Sequence, residues 1–176
     1  MTCFQIDYSK LLDVFFKAAM FILAIINLIY AVVIFKAKTK KDDADKERDR
    51  KISYLKTLIL DHNLKHFYTF FDAIEIKLTP LKTSALNDEQ KRVIHETLSE
   101  HFIELRRKFI DSLLAIDRDL YNSILLKTDE LQTHLSMTMF DPGINLSHRP
   151  KFDEVITENL TTTKTEILKV IFAYRG

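Results

Sequence analysis

Glycine, proline, cysteine and tryptophan are all scarce in this sequence. Its 176 residues include 2 Gly, 3 Pro, 1 Cys and no Trp. Tight turns, which sheets and phosphate-binding loops need, are built largely from glycine and proline. Their scarcity therefore predicts an almost wholly helical, all-α protein. A single cysteine, Cys3, excludes an intramolecular disulfide, so nothing in the chain indicates an oxidising compartment.

Net charge is also nearly absent, since 26 Lys and Arg residues face 25 Asp and Glu residues. That balance argues against attraction of the whole chain to nucleic acid, although local basic patches stay open. The sequence has no glycine-rich phosphate loop, no paired-cysteine metal pattern and no nucleophile elbow. We therefore expect a non-enzymatic protein with no cofactor, no metal and no catalytic residue.

Charged side chains are missing altogether from residues 18–35, AAMFILAIINLIYAVVIF. A helix of this length measures roughly 27 Å, close to the roughly 30 Å hydrocarbon core of a bilayer. A cleaved signal peptide and a buried helix of a soluble protein are the alternatives. We interpret residues 1–35 as an N-terminal segment with a transmembrane helix that stays attached.

Lysines follow this apolar segment directly. The positive-inside rule places such a lysine-rich flank in the cytoplasm and the N-terminus outside. The same side chains can contact anionic lipid headgroups at the membrane surface. They are Lys36, Lys38, Lys40 and Lys41.

Asn27 interrupts the apolar segment near its middle. At about 100° per residue, it shares one helix face with small and charged side chains, whereas the other faces are Phe, Ile, Leu and Val. In lipid such a face is expected to meet protein or water. It predicts a homo-oligomer, held either by a packed seam of helices or as a ring whose helices line a pore. The seam or pore-lining residues are Asp13, Lys17, Met20, Ala24, Asn27 and Ala31.

The remaining sequence predicts a charged juxtamembrane stalk, 36–51, and a cytoplasmic antiparallel helical bundle, 52–176. Apolar residues recur at helical spacing from Ile52, and Thr79-Pro80 is expected to end that helix. Asn87 with Gln90 predicts a capping box at the next helix start. A third helix begins near Asp119, or continues the second with a kink. The segment 140–150, FDPGINLSHRP, predicts a loop before the last helix.

A few polar residues of the bundle are weak candidates for function. His62 and His66 lie four residues apart and could share a metal, although ordinary surface histidines have the same spacing. The pair Arg106–Arg107 could meet RNA or an acidic partner, or form a solvated face. His148 lies in the predicted loop.

The predicted layout of the chain is a span at 12–35, a stalk with the sequence KAKTKKDDADKERDRK, and a helical domain at 52–176. In this layout the chain resembles the small membrane-associated accessory protein of type VI-B RNA-targeting CRISPR systems. The resemblance implies a divergent HEPN-like domain in the bacterial inner membrane. It also implies a pore that acts with an RNA-guided effector nuclease against phage. HEPN ribonucleases carry an Arg five to seven residues before a His. No Arg of this chain has that spacing.

The leading hypothesis is thus an oligomeric inner-membrane pore that permeabilises or depolarises the membrane in antiviral defence. One alternative is a membrane-tethered HEPN-like ribonuclease, which would bind RNA directly. Another is a passive anchor or scaffold that recruits a partner to the membrane.

Overall fold

The computed structural model describes the backbone of residues 8–83 and 86–176, and the side chains of residues 12, 15–82 and 86–176. Within these ranges every regular element is helical, which confirms the all-α prediction. The chain divides into two units, Met1–Glu47 and Arg48–Gly176. The predicted stalk, 36–51, lies across that division.

The first unit consists of most of helix α1, Tyr8–Tyr54. Its apolar side chains contact little else, since Phe15 is 72% exposed, Met20 70% and Phe35 71%. Such exposure is unusual for large apolar groups of a folded monomer and indicates that something outside this chain covers them.

The second unit is a bundle of helical stretches joined by short loops. After α1 come a π-helical segment, Leu55–Asn63, and α2, Leu64–Thr83. Helix α3, Asp88–Leu105, runs through π-helical Arg106–Ile110 into the short α4, Asp111–Leu113. Helix α5 is Arg118–Phe140. The chain ends with α6, Arg149–Phe152, π-helical Asp153–Thr157 and α7, Glu158–Ala173.

These helices close into a ring of neighbours around one core. Helix α2 packs on α3, α3 on α5, α5 on α7, and α7 returns to α2. Phe67 is fully buried at the centre, with ring-centroid distances of 4.9 Å to Phe71 and 5.3 Å to Phe109. Phe70 lies 5.0 Å from Phe102 in the same layer. Aromatic rings thus form one contiguous layer of a core whose other buried side chains are mostly Leu and Ile.

Helix starts agree well with the sequence analysis. Asn87 and Gln90 form the predicted capping box, each side chain accepting a hydrogen bond from the other's backbone N–H. The third helix is a new one that begins at Arg118, because Asp117 caps it, and not a kinked continuation of the second.

The predicted helix end at Thr79-Pro80 is wrong. Helix α2 runs on to Thr83 with Pro80 inside it. Proline costs a helix a backbone hydrogen bond. Leu78 and Leu81 are buried on either side of Pro80, so core packing holds the last turn in helical geometry.

Candidate functional site

Two regions of the described structure are candidates for function, and we take them separately. The first is the exposed surface of α1. An 18-residue window near the N-terminus has a mean hydropathy of 2.7, and none of that window is buried. By length and composition such a helix can cross a membrane.

The residues predicted on the Asn27 face lie in α1, where α-helical geometry brings them to one side. Lys17, Met20, Ala24, Asn27 and Ala31 are all exposed. They recur at spacings of three and four residues, the spacing by which packed helices present a seam. Asp13 falls outside the residues whose side chains the structure describes.

The lysines after the apolar segment are equally exposed. Lys36, Lys38, Lys40 and Lys41 project from α1 without burial, and Thr39 donates a hydrogen bond to the Phe35 carbonyl at 3.0 Å. Around the helix these lysines point in several directions, so they surround α1 with positive charge at one level. This arrangement suits contact with anionic headgroups.

The second region is a cleft of about 130 Å³ between α2 and α3, which we call the histidine cleft. His66 and His101 both line it, from different helices. Buried apolar rings and side chains form its floor, and Lys108 with Glu104 form its rim. The full lining is His66, Thr69, Phe70, Ala73, His101, Glu104, Leu105 and Lys108.

Electrostatics in the histidine cleft centre on Glu104. A hydrogen bond and the charge of Lys108 lower the pKa of this carboxyl, and His101 and His66 lower it further. His101 Nδ1 lies 3.9 Å from a Glu104 oxygen. Its other ring nitrogen, Nε2, is buried and meets no hydrogen-bond partner among the described groups. Buried polar atoms are usually hydrogen-bonded, so this ring nitrogen is a candidate for contact with a group outside the chain.

The other candidate residues from the sequence are scattered. His62 is exposed and lies outside the histidine cleft, so the structure does not bring it together with His66 there. In the described part of the chain, no three His, Cys, Asp or Glu side chains could hold one metal ion. Arg106 donates to the Tyr121 hydroxyl at 3.2 Å, while Arg107 and His148 are exposed.

A polar junction that sequence reasoning missed lies at the start of the bundle. Asp117 caps α5 by accepting from the Asp119 and Leu120 backbone N–H groups at 2.9 and 3.1 Å. Its other oxygen accepts from Lys51 Nζ at 2.9 Å and from the Tyr174 hydroxyl at 3.2 Å. One carboxylate thus ties the end of α1 to α5 and to the segment after α7.

Gly176 adds a close backbone contact to the same junction. It has a φ of +87°, which favours glycine. A Cβ there would lie 3.0 Å from Arg48 Cα and closer still to the Arg48 side chain. The end of the bundle therefore packs tightly on its beginning.

Asp117→Asn tests the charge in this junction while keeping an amide oxygen to cap α5. Lys51 and the capping N–H groups lower the pKa of Asp117 to about 2 from its ordinary 3.8. A depressed carboxyl pKa stabilises the fold at pH values above the unfolded pKa, and this contribution is lost as pH falls towards 2. We expect the substitution to cost about 2 kcal/mol at pH 7, measured by urea unfolding of the full chain in detergent.

The matched control is Asp117→Ala, which removes the cap as well and should cost about 1 kcal/mol more. The difference between the wild type and Asp117→Asn should shrink as the pH is lowered from 4 towards 2. A difference that stays constant over that range would contradict the assignment of the stabilisation to the Asp117 charge.

Comparison with known proteins gives no match: no family model, no curated protein and no solved structure is similar to this chain. The functional proposal therefore depends on the residues themselves and on the layout of the chain.

Proposed function

We propose that this protein is a single-pass membrane protein that self-associates through the Asn27 face and conducts ions as an oligomer. The observation that carries the proposal is the apolar stretch of α1, which is wholly exposed in the single chain and bears polar and small residues on one face. A lone helix encloses nothing, so conduction requires several copies. In this arrangement Lys17, Asn27 and Ala31 face a shared axis, and the Phe, Ile, Leu and Val side chains face lipid.

The proposed topology places the N-terminus outside and the bundle in the cytoplasm. The lysines at 36–41 support it, because positively charged flanks stay on the cytoplasmic side. Protease digestion of right-side-out membrane vesicles checks this arrangement. Protection of the bundle agrees with it, and its digestion would reverse the topology.

The central experiment is reconstitution of the full chain into phosphatidylethanolamine–phosphatidylglycerol vesicles, with ion flux and particle size measured on one sample. We expect flux together with a population larger than a monomer. Strictly monomeric protein would exclude the pore. Replacing residues 12–35 with an unrelated apolar helix should abolish flux, whereas a passive scaffold would keep its partner-binding role after that exchange.

For the cellular role we propose antiviral defence alongside an RNA-guided effector nuclease, with a HEPN-like bundle. The layout of one span, a charged stalk and a helical domain supports this proposal. The test uses bacteria that carry the effector with or without this protein, challenged with phage in the presence of a potential-sensitive dye. We expect faster depolarisation and fewer plaques only when both are present.

A second candidate function, a membrane-tethered ribonuclease, is favoured by the histidine cleft. Imidazole is the commonest general acid and base in enzymes, and two such groups with a nearby lysine are one combination that can catalyse phosphodiester cleavage. His66 and His101 would exchange protons with the ribose hydroxyl and the leaving oxygen, and Lys108 would face the phosphate.

Under this second candidate, His101→Ala should lower cleavage of labelled RNA by about 100-fold or more. His62→Ala is the matched control, because His62 is exposed and lies outside the cleft. Intact RNA after incubation with the wild-type chain, or equal cleavage by both variants, would exclude the histidine cleft as a nuclease site.

A further inference from the structure

A larger cleft, of about 400 Å³, lies between the loop at 141–148 and the neighbouring ends of α2 and α3. We call it the loop cleft. Its floor is apolar, since Leu81 at the end of α2 and Leu146 in the loop are buried, and Ile144 packs against the same core. Clefts of about 300–1,000 Å³ with an apolar lining and a few polar groups are typical of small-molecule sites.

Hydrogen bonds within the loop hold the shape of this cleft. Asp141 Oδ1 accepts from the Gly143 backbone N–H at 2.7 Å, and the Ile144 N–H donates to the Asp141 carbonyl at 3.2 Å. Asn145 Oδ1 accepts from both the backbone N–H and the hydroxyl of Ser147, at 3.1 and 2.7 Å. Aspartate and asparagine commonly fix turns in this way. Because the loop is held by its own hydrogen bonds, binding there costs little ordering of the chain.

The rim of the loop cleft carries hydrogen-bond donors and a positive charge. Lys91, one turn into α3, is half-buried there. Its ammonium group forms no ion pair or hydrogen bond with the described residues, although Asp88 precedes it by three positions. Asn145 uses its side-chain oxygen for Ser147, which leaves its amide nitrogen to donate elsewhere. None of the described residues that line the cleft is acidic.

We propose that the loop cleft binds a small molecule with an anionic head group, a carboxylate or a phosphate, and a compact apolar body. The head group accepts hydrogen bonds from Lys91 and Asn145, and the apolar body covers Leu81, Ile144 and Leu146. A half-buried ammonium loses hydration, and a bound anion offsets that cost through a charge-assisted hydrogen bond. The site uses no residue of α1, so it goes beyond the proposed function and does not rest on it.

The test measures the binding of three probes by fluorine NMR to the full chain in a nonionic detergent. The probes are para-trifluoromethyl benzoate, para-trifluoromethylphenyl phosphate and para-trifluoromethylbenzyl alcohol, which have closely similar apolar bodies. Detergent alone gives the background for each probe. We expect both anions to bind the wild type about tenfold more tightly than the neutral alcohol, because a charge-assisted hydrogen bond distinguishes them.

Three variants separate the charge from the apolar floor. Lys91→Met keeps an unbranched side chain without the charge, and should weaken both anions by about tenfold while leaving the alcohol unchanged. Lys77→Met makes the same change on α2 outside the cleft and should behave as the wild type. Ile144→Ser removes part of the apolar floor and should weaken all three probes by about fivefold. Circular dichroism checks that each variant keeps the helix content of the wild type.

The outcomes also identify the head group. Tighter binding of the phosphate probe assigns it to a phosphate ester, tighter binding of the benzoate assigns it to a carboxylic acid, and both support the site. Anions that bind no more tightly than the alcohol, or that lose affinity equally in Lys91→Met and Lys77→Met, overturn the proposal. Probe signals that match those of detergent alone also overturn it. Ion flux plays no part in these measurements, so their result leaves the proposed function as it stands.

Discussion

Asn27→Leu should abolish or strongly reduce ion flux, and its effect on assembly should reveal what Asn27 contacts. In a ring with a wet lumen, leucine makes a hydrophobic constriction, which closes pores by expelling water. Oligomer size would then stay the same while flux is lost. In a packed seam, Asn27 hydrogen-bonds to its own copy, and such bonds contribute about 1–2 kcal/mol in membrane helices. Association would then weaken by about tenfold.

The measurement pairs vesicle ion flux with mass photometry on the same preparation. Ile29→Leu is the matched control, because it lies two residues away on the opposite face and ends as the same side chain. It should change neither readout. Wild-type flux and size in Asn27→Leu would remove Asn27 from any functional face and leave α1 as a plain anchor.

Much of the bundle could be predicted because its determinants are local in sequence. Apolar spacing located the helices, and the capping box at Asn87 followed from two residues three apart. Pro80 is a position where tertiary packing overrides a local sequence preference. Proline disfavours a helix interior, but the burial of Leu78 and Leu81 in the core outweighs that tendency here.

The histidine cleft also could not be predicted from sequence spacing, because it is formed by two different helices. His66 was a candidate through its spacing from His62, yet the residue that shares its cleft is His101, which lies on another helix. Nothing in the spacing of the two could have paired them, since the cleft exists only through the packing of α2 on α3. The Asn27 face differs, because α1 alone positions Lys17, Asn27 and Ala31.

The Asp117 junction could be predicted only in part from the sequence. The cap of α5 is a local signal, since an aspartate directly before a helix start typically accepts backbone N–H bonds. Its contacts to Lys51 and Tyr174 are not local, because both partners are more than fifty residues away. The junction ties the last turn of α1, which belongs to the second unit, to α5 and to the segment after α7.

The largest loss of stability is expected from Phe67→Ala. Phe67 is fully buried, and its ring meets Phe71, Phe109 and Tyr68 within 5.6 Å. Removing a buried aromatic ring forfeits its transfer free energy and leaves a cavity that rigid neighbours cannot fill, which costs about 3–5 kcal/mol. Since small domains are stable by only about 5–15 kcal/mol, the bundle would be marginal or unfolded.

Urea unfolding followed by circular dichroism measures the loss of stability, with Phe172→Ala as the control. Phe172 is 64% exposed, so its truncation should stay within about 0.5 kcal/mol of the wild type. Comparing the oligomers of Phe67→Ala and Phe172→Ala also tests whether the bundle contributes to assembly. If the membrane helices associate by themselves, Phe67→Ala should keep its oligomer while losing bundle structure. If the bundle aligns the copies, both should be lost together, whereas equal stability of the two variants would place Phe67 outside the core.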